Sequence, residues 1–346
     1  MHTEAIVLRK HGGPEVLERA EVDLGALGAH EVRVRVRAVA LNHLDLWVRR
    51  GLPHLKLDYP HRLGSDIAGE IEALGAEARG PFKVGDKVLV APGLSCGVCV
   101  RCAAGEDNLC PRYRILGENT QGGYARFVNI PDENLIPFPA RLSFEEAAAI
   151  PLVFLTAWQM VKLKAQVTHG QWVLVHAAGS GVSSIAIQMA KMCGGRVIAT
   201  TGSDEKAERA RTLGAEHVIN YVTQDFVHEV RRITDKRGAD VVIDHVGGEV
   251  FSKSIAACAW GGQIVTCGAT AGHAPEVDLR HVFFRQIAIK GSTMGPRFSL
   301  FSLVDYVQRG LLAPVVGAVL PWERAAEAHA LLEARGVFGK VVLSID

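Results

Sequence analysis

The chain has 346 residues, 48% hydrophobic and 22% charged, with 38 Lys and Arg against 37 Asp and Glu for a net charge of +1. That length exceeds one ordinary core and fits two domains of roughly 150 to 200 residues each. The composition excludes disorder, and the charge balance excludes a general attraction to nucleic acid or an anionic membrane. The expected partner is a small-molecule substrate recognised locally.

The stretch Met1 to Arg9 has neither a long apolar run nor a small-residue cleavage site, and no segment reaches about 18 uninterrupted apolar residues. A cytoplasmic protein with no membrane partner is expected. The first third reads as a β-rich lobe. Glu31 to Val39 alternates as EVRVRVRAV, and Val84 to Ala91 is an apolar run opened by Gly85 and Asp86. Ser143 and Glu146 form a capping-box signature ahead of AAAIPLVFLTAWQMV, which predicts one substantial helix from Ser143 onward. From Gln171, short β-branched runs alternate with helical segments: VLVHA, SSIAIQMAKM, RVIATT, DEKAERARTLG, DVVIDHV and QIVTCGA. That alternation calls for a parallel sheet covered on both faces, a nucleotide-binding type of domain. The remainder carries a helical segment, LFSLVDYVQRG, and a final strand, GKVVLSI, whose partners lie far off in sequence.

Of seven cysteines, Cys96, Cys99, Cys102 and Cys110 cluster as C-x2-C-x2-C-x7-C, while Cys193, Cys258 and Cys267 are scattered. This is unlike a secreted disulfide framework. Four thiolates close a tetrahedron around one structural Zn²⁺ with no open position, so the ion fixes a loop and does no chemistry. An iron-sulfur cluster is the rival, because Cys110-Pro111 superficially matches a ferredoxin run. That run has three residues before its last cysteine where this chain has seven. Four unligated thiols on an exposed loop would be oxidisable.

After the strand Trp172 to His176 comes AAGSGVSS and then a helix, which places the turn where a dinucleotide pyrophosphate meets a helix N-terminus. Gly179-x-Gly181-x-x-Ser184 is a degraded G-x-G-x-x-G, weak alone and strengthened by the strand before it and the helix after it. Gly179, Ser180, Gly181 and Val182 are the candidate cradle. The second strand ends at Thr201, where NAD enzymes place an acid for the ribose 2′-hydroxyl. Thr201 carries no carboxylate to repel a 2′-phosphate, and Ser203 and Lys206 supply donors, so NADP(H) is favoured over NAD(H). Asp204 argues the other way, and Lys206 also reads as an ordinary solvated helix residue. Tyr221 completes the candidates at this end.

Over nearly its whole length the chain resembles the medium-chain dehydrogenase/reductase superfamily, and within it the quinone oxidoreductase-like branch. The resemblance rests on ALNHLDLWVRRG, YPHRLGSDIAGEI, FKVGDKV, the cysteine lobe, QGGYARFV, AAAIPLVFLTAW, VLVHAAGSGV, GSDEKAERARTLGA and GKVVL. It implies an α/β architecture in which a Rossmann-type doubly wound parallel sheet is inserted into a GroES-like β-rich catalytic domain. The expected boundaries are 1–152 for the catalytic domain with a zinc lobe over 93–113, 153–294 for the NAD(P)-binding domain, and 295–346 for the returning part of the catalytic domain.

Zinc alcohol dehydrogenases of this superfamily hold a catalytic zinc with a Cys, a His in Gly-His-Glu, and a third Cys or acid. The corresponding places here are Asn42, Ser65 and Leu152, a poor ligand set. The resemblance to quinone oxidoreductases, which carry a similar replacement, implies hydride transfer to a quinone or enone, whose delocalised sink replaces the metal. It also implies roles: Asn42, Asp66 and Thr156 at the reacting centre, His43 and Lys340 toward phosphate, Thr156, Gly268 and Ala269 beside the nicotinamide. Asn42 as a helix cap with Asp45 as first-turn acid, and Thr156 as a self-bonded helix hydroxyl, are the plainer readings. Two other functions stay open: an alcohol dehydrogenase with a metal site rebuilt from His43, His54, His61 and Asp66, and a nucleotide-binding protein with little catalysis. A homodimer or homotetramer is expected, with QIAIKGSTMG as the pairing edge.

Overall fold

The computed structural model describes every residue except His54. The chain divides into two compact units, Met1–Leu152 with Pro296–Asp346, and Val153–Gly295. No helix among the described residues is long and apolar enough to cross a membrane.

The first unit is built on a seven-stranded sheet. Its order runs Val316–Pro321, Lys340–Ser344, Glu31–Ala40, Asp66–Leu74, Lys87–Val90 and Leu135–Pro137, with Phe127–Pro131 also pairing to Glu31–Ala40. The alternation in Glu31–Ala40 does what period-two patterning requires: Val32, Val34 and Val36 enter the core, while Arg35 turns outward to Glu72. The final strand pairs antiparallel with Glu31–Ala40, Val342 opposite Ala40, and Ala40 in turn opposes Asp66. Stepping two residues along each antiparallel strand brings Lys340 across from Asn42. Register alone therefore gathers Asn42, Asp66 and Lys340 at one end of the sheet.

The second unit is a six-stranded parallel sheet in the order His217–Asn220, Arg196–Thr201, Trp172–Val175, Ala239–Asp244, Cys258–Thr266 and Ala288–Gly291. Leu174, Val242 and Ile264 are fully buried, as continuous β-branched and aliphatic strands in a covered parallel sheet should be. Ala288–Gly291 lies at the sheet edge, within the apolar segment expected there.

One expectation is corrected. The capping box at Ser143 forms, with the Ser143 hydroxyl accepting from the Glu146 amide at 3.2 Å and the Glu146 carboxylate accepting from the Ser143 amide at 2.9 Å. The helix it starts covers only Phe144–Ala148, a second helix spans Pro151–Trp158, and a π-helical turn follows over Gln159–Lys164. Pro151 has no N–H to continue the ladder, and its ring disfavours helical geometry at Ile150, so it restarts the helix instead of extending it.

Candidate active site and metal centre

Asn42 lies two residues after the strand Glu31–Ala40 and serves as the N-cap of helix His43–Arg50. The Asn42 amide N–H donates to the Asp45 carboxylate at 2.7 Å, the backbone half of a capping box. Its side chain makes a different set of bonds. Asn42 Nδ2 donates to Asp66 Oδ2 at 2.9 Å, and Lys340 Nζ donates to Asn42 Oδ1 at 2.6 Å and to Asp66 Oδ2 at 2.9 Å. The other Asp66 oxygen accepts from the Leu152 amide at 2.7 Å, an otherwise orphaned donor in the first turn after Pro151. All three side chains are buried, Asp66 completely. The ammonium expected to face phosphate is thus enclosed in a closed ring of amide, carboxylate and cation.

Asp45 ties this ring to its neighbours by also accepting from the Gly64 amide at 2.9 Å. Burial is the main reason its carboxyl is pushed up to about 6. Gly64 has φ +96°, and a Cβ there would stand 2.6 Å from the Tyr124 ring, so glycine is required on both counts. Ser65, the residue at the histidine place of Gly-His-Glu, donates to the Leu116 carbonyl at 2.7 Å. Leu152 has no ligand atom. The chemistry of this donor set does not fit a zinc ion, and Lys340 supplies a positive charge at the same spot.

The histidines weighed for a rebuilt metal site do not gather around Asp66. His61 is buried with its Nε2 3.1 Å from the Gly117 carbonyl, and burial holds its imidazole below the usual range. His43 sits beside Trp47, and His54 lies outside the described residues. Among the described residues, the four clustered cysteines are the only group of three or more His, Cys, Asp or Glu side chains with converging ligand atoms.

Those cysteines sit on a lobe closed by antiparallel pairing of Gly93–Leu94 with Arg114–Ile115. Their sulfurs all lie within 4.8 Å of one another. Cys99 and Cys102 sulfurs are 3.6 Å apart, and those of Cys96 and Cys102 are 3.9 Å apart. A tetrahedron of sulfurs around zinc has edges of about 3.8 Å. The backbone amides of Cys96 and Arg112 donate to the buried Cys110 sulfur at 3.4 Å each, as thiolates near a metal require. A hydrogen bond from the Val98 backbone, joined by the Arg112 side chain, draws the Cys96 thiol down to about 5. The donor set fits Zn²⁺ and leaves no open coordination position.

Sequence reasoning missed what anchors this lobe. The Arg297 amide donates to Asp107 at 2.9 Å and its guanidinium pairs with Glu133 at 3.1 Å, while Asn134 donates to the carbonyls of Ala91 and Gly93 at 2.7 Å each. Arg297 comes from a segment far away in the chain, so no local pattern marks it.

In the second unit the glycine turn lies at the carboxyl edge of the parallel sheet, where α/β proteins place ligands. Ser180 caps helix Gly181–Met192 by accepting from the Ser183 amide at 3.1 Å. The Gly181 and Val182 amides open that helix without a partner among the described residues, a cradle that suits an anionic pyrophosphate. The small Ser184 side chain, in the third-glycine place, folds back onto the Gly181 carbonyl at 2.9 Å. Gly179 lies in the turn between strand and helix.

His245, overlooked in the sequence, has its Nε2 2.8 Å from the Ser180 hydroxyl and 2.9 Å from that of Ser183. It follows the strand Ala239–Asp244, and a lone histidine gives no pattern to find it by. At the same edge Thr201 is buried, Ser203 caps helix Asp204–Leu213 through the Lys206 amide at 3.3 Å, and Tyr221 is exposed beside Gly202. The Asp204 carboxylate accepts from Asn220 at 3.0 Å. Gly268 packs against the His245 carbonyl, with Ala269 next to it. Thr156 is buried on helix Pro151–Trp158.

These two units match known families. The alcohol dehydrogenase GroES-like domain matches residues 28–140, and the zinc-binding dehydrogenase family matches residues 181–308. An NAD-dependent alcohol dehydrogenase of Sulfolobus acidocaldarius is 34% identical over 99% of both chains. The chain belongs to the medium-chain dehydrogenase/reductase superfamily. It is an oxidoreductase with the GroES-like and Rossmann-type architecture of that superfamily. A solved structure described as an NAD-dependent alcohol dehydrogenase superposes with a TM-score of 0.96 at 55% identity, covering 99% of this chain and 100% of the other. A quinone oxidoreductase of Pseudomonas aeruginosa is 32% identical over 96% of this chain and 97% of its own. Both kinds of medium-chain enzyme therefore stand among its relatives.

Proposed function

We propose that this medium-chain enzyme passes hydride from NAD(P)H to a quinone or an activated C=C, an enone, without a catalytic zinc and with one structural zinc in the cysteine lobe. The observation that supports this reading is the closed ring of Asn42, Asp66 and Lys340. Taking hydride from a simple alcohol needs a Lewis acid on the oxygen, and the one carboxylate of this donor set, Asp66, is already paired with Lys340. An enone needs less, because its conjugated carbonyl receives the electrons.

Asn42 is oriented by Lys340 and Asp66, which leaves its second amide hydrogen for the acceptor oxygen. Asp66 and Lys340 hold that amide, and Thr156 is assigned to the nicotinamide side. His43 is assigned to the pyrophosphate with the Gly179–Val182 turn, and Gly268 and Ala269 to the nicotinamide. Bound NAD(P)H would supply the hydride, which adds at the β carbon of an enone while a solvent proton adds at the α carbon. NADP(H) is preferred over NAD(H), since Thr201 carries no acid and Asp204 is engaged by Asn220. The exposed edge strand Ala288–Gly291 joins copies into a homodimer or homotetramer; a monomeric mass in solution at micromolar concentration ends that assignment.

The 55% identical relative favours a second reading, NAD-dependent interconversion of alcohols and aldehydes. Elemental analysis of purified untagged protein, followed by turnover with both cofactors, separates the two. One zinc per chain, with NADPH oxidised by quinones or enones, supports the first reading. Two zincs per chain, with NAD⁺ reduced by alcohols, replace it with the second.

A further inference from the structure

Arg62 lies four residues before Asp66, on an extended stretch whose backbone is fixed on both sides. Its amide donates to Gln121 Oε1 at 2.9 Å, and its carbonyl accepts from the Gly122 amide at 2.9 Å. The residue is only 8% exposed. Its Nε and Nη1 are buried without a hydrogen-bond partner among the described residues. Among the described residues no carboxylate forms an ion pair with it, and burial pushes the guanidinium down to about 10.

A buried charge costs several kcal/mol even after relaxation of its surroundings, and proteins meet that cost with a paired ion. Two other deeply buried charged side chains of this unit have such a partner: Lys340 has Asp66, and Arg49 has Glu333. Arg62 has none among the described residues, which leaves its buried N–H groups available to a group from outside the chain. A planar guanidinium with free N–H groups takes a planar oxyanion, and a carboxylate matches its fork better than a single-point acceptor. Four residues of fully extended chain span at most about 14 Å. The chain thus holds the Arg62 backbone within that distance of Asp66, the carboxylate of the ring.

We infer that Arg62 is the anion-binding residue of the acceptor site, and that the natural acceptor carries a carboxylate besides its activated double bond. This names the substrate class of the reading above and rests on it for the reaction, not for the binding.

A matched pair of acceptors tests it on the full enzyme with NADPH: the anionic enone (E)-4-oxopent-2-enoate and its neutral methyl ester. The saturated analogue 4-oxopentanoate serves as a binding probe that needs no turnover. Hydrogen bonds to a charged group correspond to about 10- to 100-fold in affinity. In Arg62→Met, kcat/KM for the acid and the affinity for 4-oxopentanoate should fall by about that factor. The ester and KM for NADPH should change by less than about threefold, and Arg62→Lys should recover part of the loss. The melting temperature of Arg62→Met should not drop, because no internal partner is left behind.

An equal loss for acid and ester, a rise in KM for NADPH, or no binding of 4-oxopentanoate by the unaltered enzyme overturns the assignment. If neither enone is reduced while 4-oxopentanoate binds and Arg62→Met abolishes the binding, the anion site stands and the proposed reaction fails.

Discussion

Two polar sites in the first unit solve opposite electrostatic problems. The cysteine lobe brings four sulfurs within 4.8 Å of one another, a set of thiolates that repel unless a cation joins them. The ring of Asn42, Asp66 and Lys340 carries its own cation, with the Lys340 ammonium 2.9 Å from the Asp66 carboxylate. The first site is completed by binding and the second by folding. The four sulfurs form a set that fits a cation, while at the ring an ion pair from the chain itself stands where zinc alcohol dehydrogenases of the superfamily hold a metal.

The comparison breaks most visibly at the lobe. Cys96→Ser should lower zinc content from one per chain toward zero and cost on the order of 4 kcal/mol or more of stability, read by elemental analysis and chemical denaturation. At the ring, Lys340→Met strands a buried carboxylate and should cost about 3–5 kcal/mol without changing zinc content. The double variant Lys340→Met with Asp66→Asn should recover most of that loss, because neither charge is then left alone. A variant of Lys340 that gains a second zinc would show that the ammonium had been holding a metal site closed.

A smaller effect comes from Asp45, whose carboxyl is raised by burial to about 6. Between its unfolded value near 4 and about 6 the folded chain binds more protons than the unfolded one. Stability from this group is therefore greatest below pH 4 and falls as pH rises to 6, by on the order of 3 kcal/mol. Denaturation of the unaltered protein and of Asp45→Asn at pH 4.5, 6 and 7 should show that slope only in the former. The smallest expected change is Ser143→Ala, which removes an exposed helix cap that bonds to neither site. It should cost about 1 kcal/mol, seen as a shift of a few degrees in melting temperature, with zinc content and turnover unaltered.

Much of this molecule was legible along the chain. The cysteine spacing, the alternation in Glu31–Ala40, the Ser143–Glu146 cap and the strand–turn–helix at Gly179–Val182 each lie within a dozen or so residues, and local patterns of that size carry their own geometry. The long helix expected from Ser143 failed because apolar periodicity outweighed Pro151, which breaks the hydrogen-bond ladder whatever surrounds it.

Beyond those local signals the sequence by itself determined residue identities but not their company. It placed an asparagine, a serine and a leucine at the positions where zinc alcohol dehydrogenases of the superfamily hold their ligands, a poor ligand set. Only the tertiary structure decided that Lys340 would turn to Asn42 and Asp66, that Arg297 would brace the cysteine lobe, that His245 would lie against the Ser180 and Ser183 hydroxyls, and that Arg62 would be buried without a side-chain partner among the described residues. The reason is physical: the strength of a charge or hydrogen bond is set by which groups surround it and how much water remains, and sheet register brings those groups together from segments up to 298 residues apart.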